Sequence, residues 1–211
     1  MSSLNAEKFN RFCDQLNPFL PEQAIAYVAQ FIMENNVRFT VAKKRKTKLG
    51  DYRQPFKGKS HQISVNGDLN QYAFLVTTIH EFAHLVTFEK YGNGVRSHGV
   101  EWKHEFKELF APLIKKEFLP EDVKLAVSNY LKNAKASSCA DEPLYRVLRR
   151  YNIEQGVLVE HLKKGAIFEL KGKRFELGKK LRKRYECVDL DTGRLYRVLG
   201  LAEVDKVLEN I

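Results

Sequence analysis

The chain has 211 residues, 44% of them hydrophobic, and a formal net charge of +10. That composition supports a packed core and excludes a disordered chain. No apolar run reaches the ~20 residues of a membrane span, and no secretory leader is expected from an amino terminus without an apolar centre or cleavage site. Three widely separated cysteines, Cys13, Cys139 and Cys187, argue against a disulfide framework; a cytoplasmic, nucleoid-associated location is expected.

Residues 21–36 predict an amphipathic helix, with Pro21 in its first turn and Ala24, Ile25, Val28, Ile32 and Met33 at helical spacing. In residues 37–45, Val37, Phe39 and Val41 alternate with Arg38 and Thr40, a strand pattern. The basic stretch around Gly50 and Pro55 reads as a loop. A second short strand follows, with Ile63 and Val65 on one face and Asn66-Gly67 at its end. Asp68 or Asn70 can cap the next helix, which runs through Leu69, Tyr72, Ala73, Val76, Ile79, Ala83 and Val86 to about Lys90. A loop with three glycines leads to a helix over 100–118, carrying Trp102, Phe106, Leu109 and Phe110 on one side. Pro120 opens another helix, to about Lys132.

Residues 133–143 are small and polar and read as a linker. Residues 144–211 switch to short strands, with hairpin signals at Lys171-Gly172 and Asp191-Thr192-Gly193. The expected organisation is an α+β domain over 1–132, a linker, and a small β-rich module over 144–211.

The positive charge is clustered. Residues 43–59 hold eight Lys/Arg against one acid, and residues 163–184 hold ten against two. This is the electrostatic footprint of a protein that meets a polyanion, most simply DNA, single-stranded or non-specific; the bland counterpart is two solvated basic loops. Lys43, Lys44, Arg45 and Lys46 in the first cluster and Lys179, Lys180, Arg182, Lys183 and Arg184 in the second are the candidate contacts. Phe168, Phe175 and Tyr185 lie among the second set, where they can stack on bases or fill a core.

Four of the six histidines fall within residues 77–106. His80 and His84 are one helical turn apart, so their imidazoles share a face and can grip one zinc ion. Glu81 points about 100° round the helix, beside an open coordination position rather than into the ligand set. This is the H-E-x-x-H arrangement, with glutamate as general base for a zinc-bound water. The flanking residues are apolar, and a buried helix with two histidines and a carboxylate needs something to satisfy them. A third ligand must come from downstream. Glu89 lies about 140° away on the same helix. His98 follows a loop long enough to reverse the chain, and is the chosen ligand. His104 points elsewhere, as a surface histidine or a partner behind a ligand, and Glu101 can hold a ligand imidazole in place.

The string HEFAH, thirteen residues, then HGVEWKHEF resembles the SprT-like family of zinc metallopeptidases, in which an HExxH motif is followed by a histidine within HGxEF or HGxEW. The resemblance covers roughly residues 16–118. It implies one Zn2+ on His80, His84 and His98, Glu81 as base, and a zincin-type α+β fold. It also implies action on proteins bound to DNA, as in crosslink repair. Many members carry a zinc ribbon after the peptidase; here Cys187 stands alone in that region, so a ribbon-like module without its cysteines is expected. Peptide substrate is expected to lie extended along the strand 61–66, as on an edge strand. His61, Tyr72, Tyr91 and His104 are the open choices for an oxyanion donor. The competing reading is a nucleic-acid-binding factor, acting in transcription with a structural zinc and little or no peptidase activity; a zinc hydrolase of a non-peptide substrate is a third.

Overall fold

The computed structural model describes residues 3–45, 47–132, 134 and 141–209. Lys46, Cys139 and most of the expected 133–143 linker lie outside them. The described residues form two compact units, Met1–Ile153 and Glu154–Ile211, with six α-helices and two sheets, an α+β architecture. Among the described residues no helix is long and apolar enough to cross a membrane.

The first unit holds α1 (Ser3–Leu16), α2 (Glu22–Glu34), β1 (Arg38–Ala42), β2 (Gly50–Arg53), β3 (Gln62–Asn66), α3 (Gln71–Tyr91), α4 (Val100–Lys115), α5 (Glu121–Lys132) and α6 (Glu142–Arg149). Helix α3 is its axis. Every residue from Phe74 to Ala83 is buried, the signature of a helix covered on all sides. Asn70 caps it, accepting from the Tyr72 and Ala73 N–H groups at 3.1 and 3.0 Å, so Asn70 rather than Asp68 fills that role. Phe31 of α2 stacks on Phe82 of α3 at 3.9 Å, and Tyr27 ties α2 to α4 through a 2.8 Å bond to the Leu109 carbonyl.

The sheet runs β1-β3-β2, with β1 and β3 parallel and β2 antiparallel to β3. Strand β3 is therefore central. The expectation of a substrate-accepting edge at His61–Asn66 is overturned, because β1 and β2 occupy both of its hydrogen-bonding sides. The edge beside α3 belongs to β2, in the stretch expected to be a loop. Four residues, Gly-Asp-Tyr-Arg, carry no apolar alternation to betray a strand. Helix α1 was likewise not anticipated; it seats Phe9, Phe12 and Leu16 on the first core.

Helix α6 falls where the linker and second module were expected to meet. Asp141 caps it at 3.2 Å through the Leu144 N–H, and Leu144 and Leu148 are buried in the first core. Asn70 donates to the Leu148 carbonyl at 2.8 Å, and Tyr151 to Asp122 at 2.6 Å. The division thus comes after Ile153, not before Leu144.

The second unit is one antiparallel sheet of β4 (Ile167–Leu170), β5 (Lys173–Lys180), β6 (Arg184–Asp189), β7 (Leu195–Leu199) and β8 (Lys206–Glu209), in the order β7-β6-β5-β4-β8. Both turn signals form hairpins, and Gly172 and Gly193 take the positive φ those turns require. Phe168, Phe175 and Tyr185 are all buried, with Leu177 and Cys187, in its own hydrophobic core. Those aromatics fill the core rather than wait for bases, and Cys187 is an apolar packing residue there.

Candidate metal centre

Helical geometry brings His80 and His84 together, and a chain reversal adds His98. Gly92 ends α3 with φ +61, and Gly99 opens α4. Between them His98 adopts φ +59, a left-handed conformation that few non-glycine residues take and that histidine tolerates better than most. The three Nε2 atoms converge: His80–His84 3.2 Å, His84–His98 3.0 Å and His80–His98 3.1 Å. Ser97 Oγ lies 3.2 Å from His98 Nδ1; with that nitrogen donating, Nε2 keeps its lone pair. Trp102, fully buried, backs the cluster with ring centroids 4.6, 5.4 and 4.7 Å from His80, His84 and His98.

These residues fit a metal. Burial first, and then the neighbouring imidazoles, hold His80 far below its ordinary pKa; burial and then His98 press His84 down to about 4; burial lowers His98. Burial thus disfavours the charged form of all three, and their Nε2 atoms face one point, an arrangement that a cation would satisfy. Three nitrogens 3.0–3.2 Å apart approach the ~3.3 Å edge of a tetrahedron with metal–nitrogen bonds of about 2.0–2.1 Å.

Glu81 is 5% exposed. Its carboxylate accepts from the Tyr52 backbone N–H. Burial, then the charge of Asp51, push its carboxyl up to about 8, against Arg45, Lys48 and the Tyr52 bond. A cation beside it would draw that value down. Gly50 makes room for it: a Cβ there would stand 2.8 Å from Glu81 Cδ, and closer still to Oε1. The cleft over this group, about 420 Å³, is lined by Glu81 and the three histidines, by Lys48, Gly50, Asp51 and Tyr52, and by Ser97.

A model of the SprT-like family matches residues 10–124. The chain belongs to the SprT-like family. No curated protein and no solved structure gives a significant match.

The SprT-like segment contains the whole histidine cluster, Glu81 and β2. The other candidates along it lie apart from the cluster. Glu89 pairs with His61 at 3.1 Å. His104 is exposed. Glu101 stands beside Gly99 at the head of α4. Tyr72 packs on Tyr151 at 4.7 Å, and Tyr91 is exposed. Tyr52, unnoticed in the sequence, lines the cleft. Its only signal was an aromatic residue in a short basic segment.

Of the basic candidates in the SprT-like segment, Arg45 is turned inward. Its guanidinium donates to Asn66 Oδ1 at 2.7 Å, Ser64 Oγ at 2.9 Å and the Ser64 carbonyl at 3.2 Å. Asn66 returns bonds to the Arg45 and Lys48 carbonyls, both 3.1 Å. This knot closes the loop before β2 and leaves Arg45 with no fork for a phosphate. Lys44 lies 3.5 Å from Asp68, and Lys46 is outside the described residues. Beyond the SprT-like segment, residues 179–184 span the β5–β6 turn. There Lys179 meets Glu186 at 3.5 Å, Lys180 sits over the Tyr185 ring, and Arg184 donates to the Arg197 carbonyl at 3.2 Å.

Proposed function

We propose that the chain is a zincin-type, zinc-dependent peptidase that acts on proteins held on DNA. The observation that carries the reading is the convergence of three imidazole nitrogens within 3.2 Å beside a buried carboxylate in an open cleft. His80, His84 and His98 would hold one Zn2+, which supplies Lewis-acid chemistry there, acidifying water and polarising a peptide carbonyl. Glu81 is the proton carrier: its free carboxylate oxygen takes a proton from water and returns it to the departing amine. A structural metal has no use for such a base, which disfavours the purely nucleic-acid-binding alternative.

Of the two edge strands of this sheet, β2 is the one that lines the cleft and can pair with a peptide substrate. The Asn66 N–H donates to the Leu49 carbonyl at 2.8 Å. The alternation that begins there turns the Gly50 N–H and carbonyl and the Tyr52 carbonyl away from β3, toward the open edge, with the Tyr52 N–H taken up by Glu81. An extended peptide laid along β2 gains main-chain bonds with little side-chain preference, which suits an enzyme that meets many proteins.

The polyanion reading rests on charge. Lys43 and Lys44 in the first unit, and Lys179, Lys180, Arg182, Lys183 and Arg184 in the second, are the proposed phosphate contacts, with binding steeply salt-dependent and indifferent to base sequence. The test is elemental analysis joined to cleavage of a DNA-bound protein, with and without single-stranded DNA. Wild type is expected to carry one zinc per chain and to cleave. His98→Ala should lose the metal, and Glu81→Gln should keep it while losing cleavage by at least ~100-fold. Cleavage by Glu81→Gln at the wild-type rate would sink the peptidase reading.

A further inference from the structure

Tyr52, His61 and Glu89 form a hydrogen-bonded chain alongside the metal centre. Tyr52 Oη lies 3.0 Å from His61 Nδ1, and His61 Nε2 lies 3.1 Å from Glu89 Oε1. The His61 side chain is 12% exposed and that of Glu89 55%, so the chain runs from solvent inward. A carboxylate only accepts, so His61 Nε2 carries a proton toward Glu89, and Nδ1 and the Tyr52 hydroxyl share the second hydrogen bond. The Tyr52 ring lies within 5° of parallel to the His84 ring at 6.4 Å, and Phe88 flanks both Tyr52 and His61 at 6.5 and 6.3 Å.

Both ends of the arrangement start on α3. Glu81 and Glu89 are eight residues apart, about two turns and ~12 Å along the axis. Strand β2 is held to the helix at both points: by the Tyr52 backbone N–H on Glu81, and by the Tyr52 side chain through His61 to Glu89. An edge strand of four residues, paired on one side only, has few bonds of its own to set its height over the helix. The side-chain anchor supplies that constraint.

We infer that Tyr52, His61 and Glu89 are positioning residues, which hold the Tyr52 N–H on one oxygen of Glu81 and leave the other oxygen turned to the cleft. The inference rests on the peptidase reading of Glu81 and deepens it. Their side chains do not take part in the chemistry. They act by fixing the strand that orients the base, and misplacing such a group by a fraction of an ångström slows the proton transfer.

The experiment uses full-length Tyr52→Phe, Glu89→Gln and the double variant. Zinc content should match wild type in all three. Amide hydrogen exchange at residue 52, read without substrate, should quicken at least tenfold in each. The kcat should fall about tenfold, a larger change than that in KM, and the double variant should be no worse than either single one, as members of one chain behave. Unchanged exchange at residue 52, a change confined to KM, or additive losses would each overturn the inference. The exchange arm decides it even if wild type proves to have no peptidase activity, an outcome that would sink the functional reading separately.

Discussion

Gly50 shows how a single missing methyl shapes the centre. It needs no unusual φ; its requirement is steric, because the Glu81 carboxylate occupies the space its Cβ would fill. Gly50→Ala must displace either the carboxylate or the strand. The expected outcome is full zinc occupancy with cleavage reduced on the order of 100-fold, the scale of a ~1 Å misplacement of a reacting group. Metal analysis beside a cleavage assay checks it, and a Gly50→Ala enzyme of normal rate would refute the close approach. Asp51, the next residue, carries the opposite influence. Burial pushes its carboxyl up, yet hydrogen bonds from Lys48 and Arg53 outweigh burial and hold it below its ordinary range. A charge therefore persists beside Glu81 and favours a protonated base until a cation arrives.

Among the elements, the α3–α4 hairpin matters most, because the third imidazole sits in its loop. Both oxygens of Glu105 lie 2.8 Å from Lys90 Nζ. The pair joins the last turn of α3 to the second turn of α4. The carboxylate side chain is 4% exposed and the ammonium 53%, so the two halves are not equivalent. Lys90→Ala leaves a buried charge alone and should cost about 3 kcal/mol. Glu105→Gln keeps a hydrogen bond and leaves an ammonium that solvent can reach, for a loss of about 1 kcal/mol. Denaturant midpoints separate these; equal losses would mean that the carboxylate is not the vulnerable partner.

At the scale of the whole molecule, the two units have separate cores, and the first continues through α6. A fragment of residues 1–132, cut at the end of α5, exposes the surface that Leu144 and Leu148 cover and removes the acceptors of Asn70 in and after α6. It should be less stable than residues 1–153 by at least ~3 kcal/mol, the lower range for emptying a large buried apolar site. Trp102, the single tryptophan, lies in that core and reports its unfolding by fluorescence. Superimposable unfolding curves for the two fragments would show that α6 contributes nothing.

How much of this was legible in the residues depends on the range of each interaction. His80 and His84 meet because a helix repeats every 3.6 residues, and Glu81 diverges from them for the same reason; apolar spacing and a cap signal at Asp68 or Asn70 marked α3, and a thirteen-residue spacing led to His98. The hairpins at Lys171-Gly172 and Asp191-Thr192-Gly193 are equally local, set by residues that tolerate positive φ. Sheet order is not local. Alternation marked β3 as a strand but carried no information on its neighbours, so its central place and the edge role of β2 emerged only once distant segments paired. The same holds for Arg45, which charge counting assigned to a phosphate and the fold assigned to Asn66 and Ser64. It holds also for Tyr52, His61 and Glu89, which come from three parts of the chain and meet because tertiary packing, not spacing along the sequence, determines which polar groups become partners.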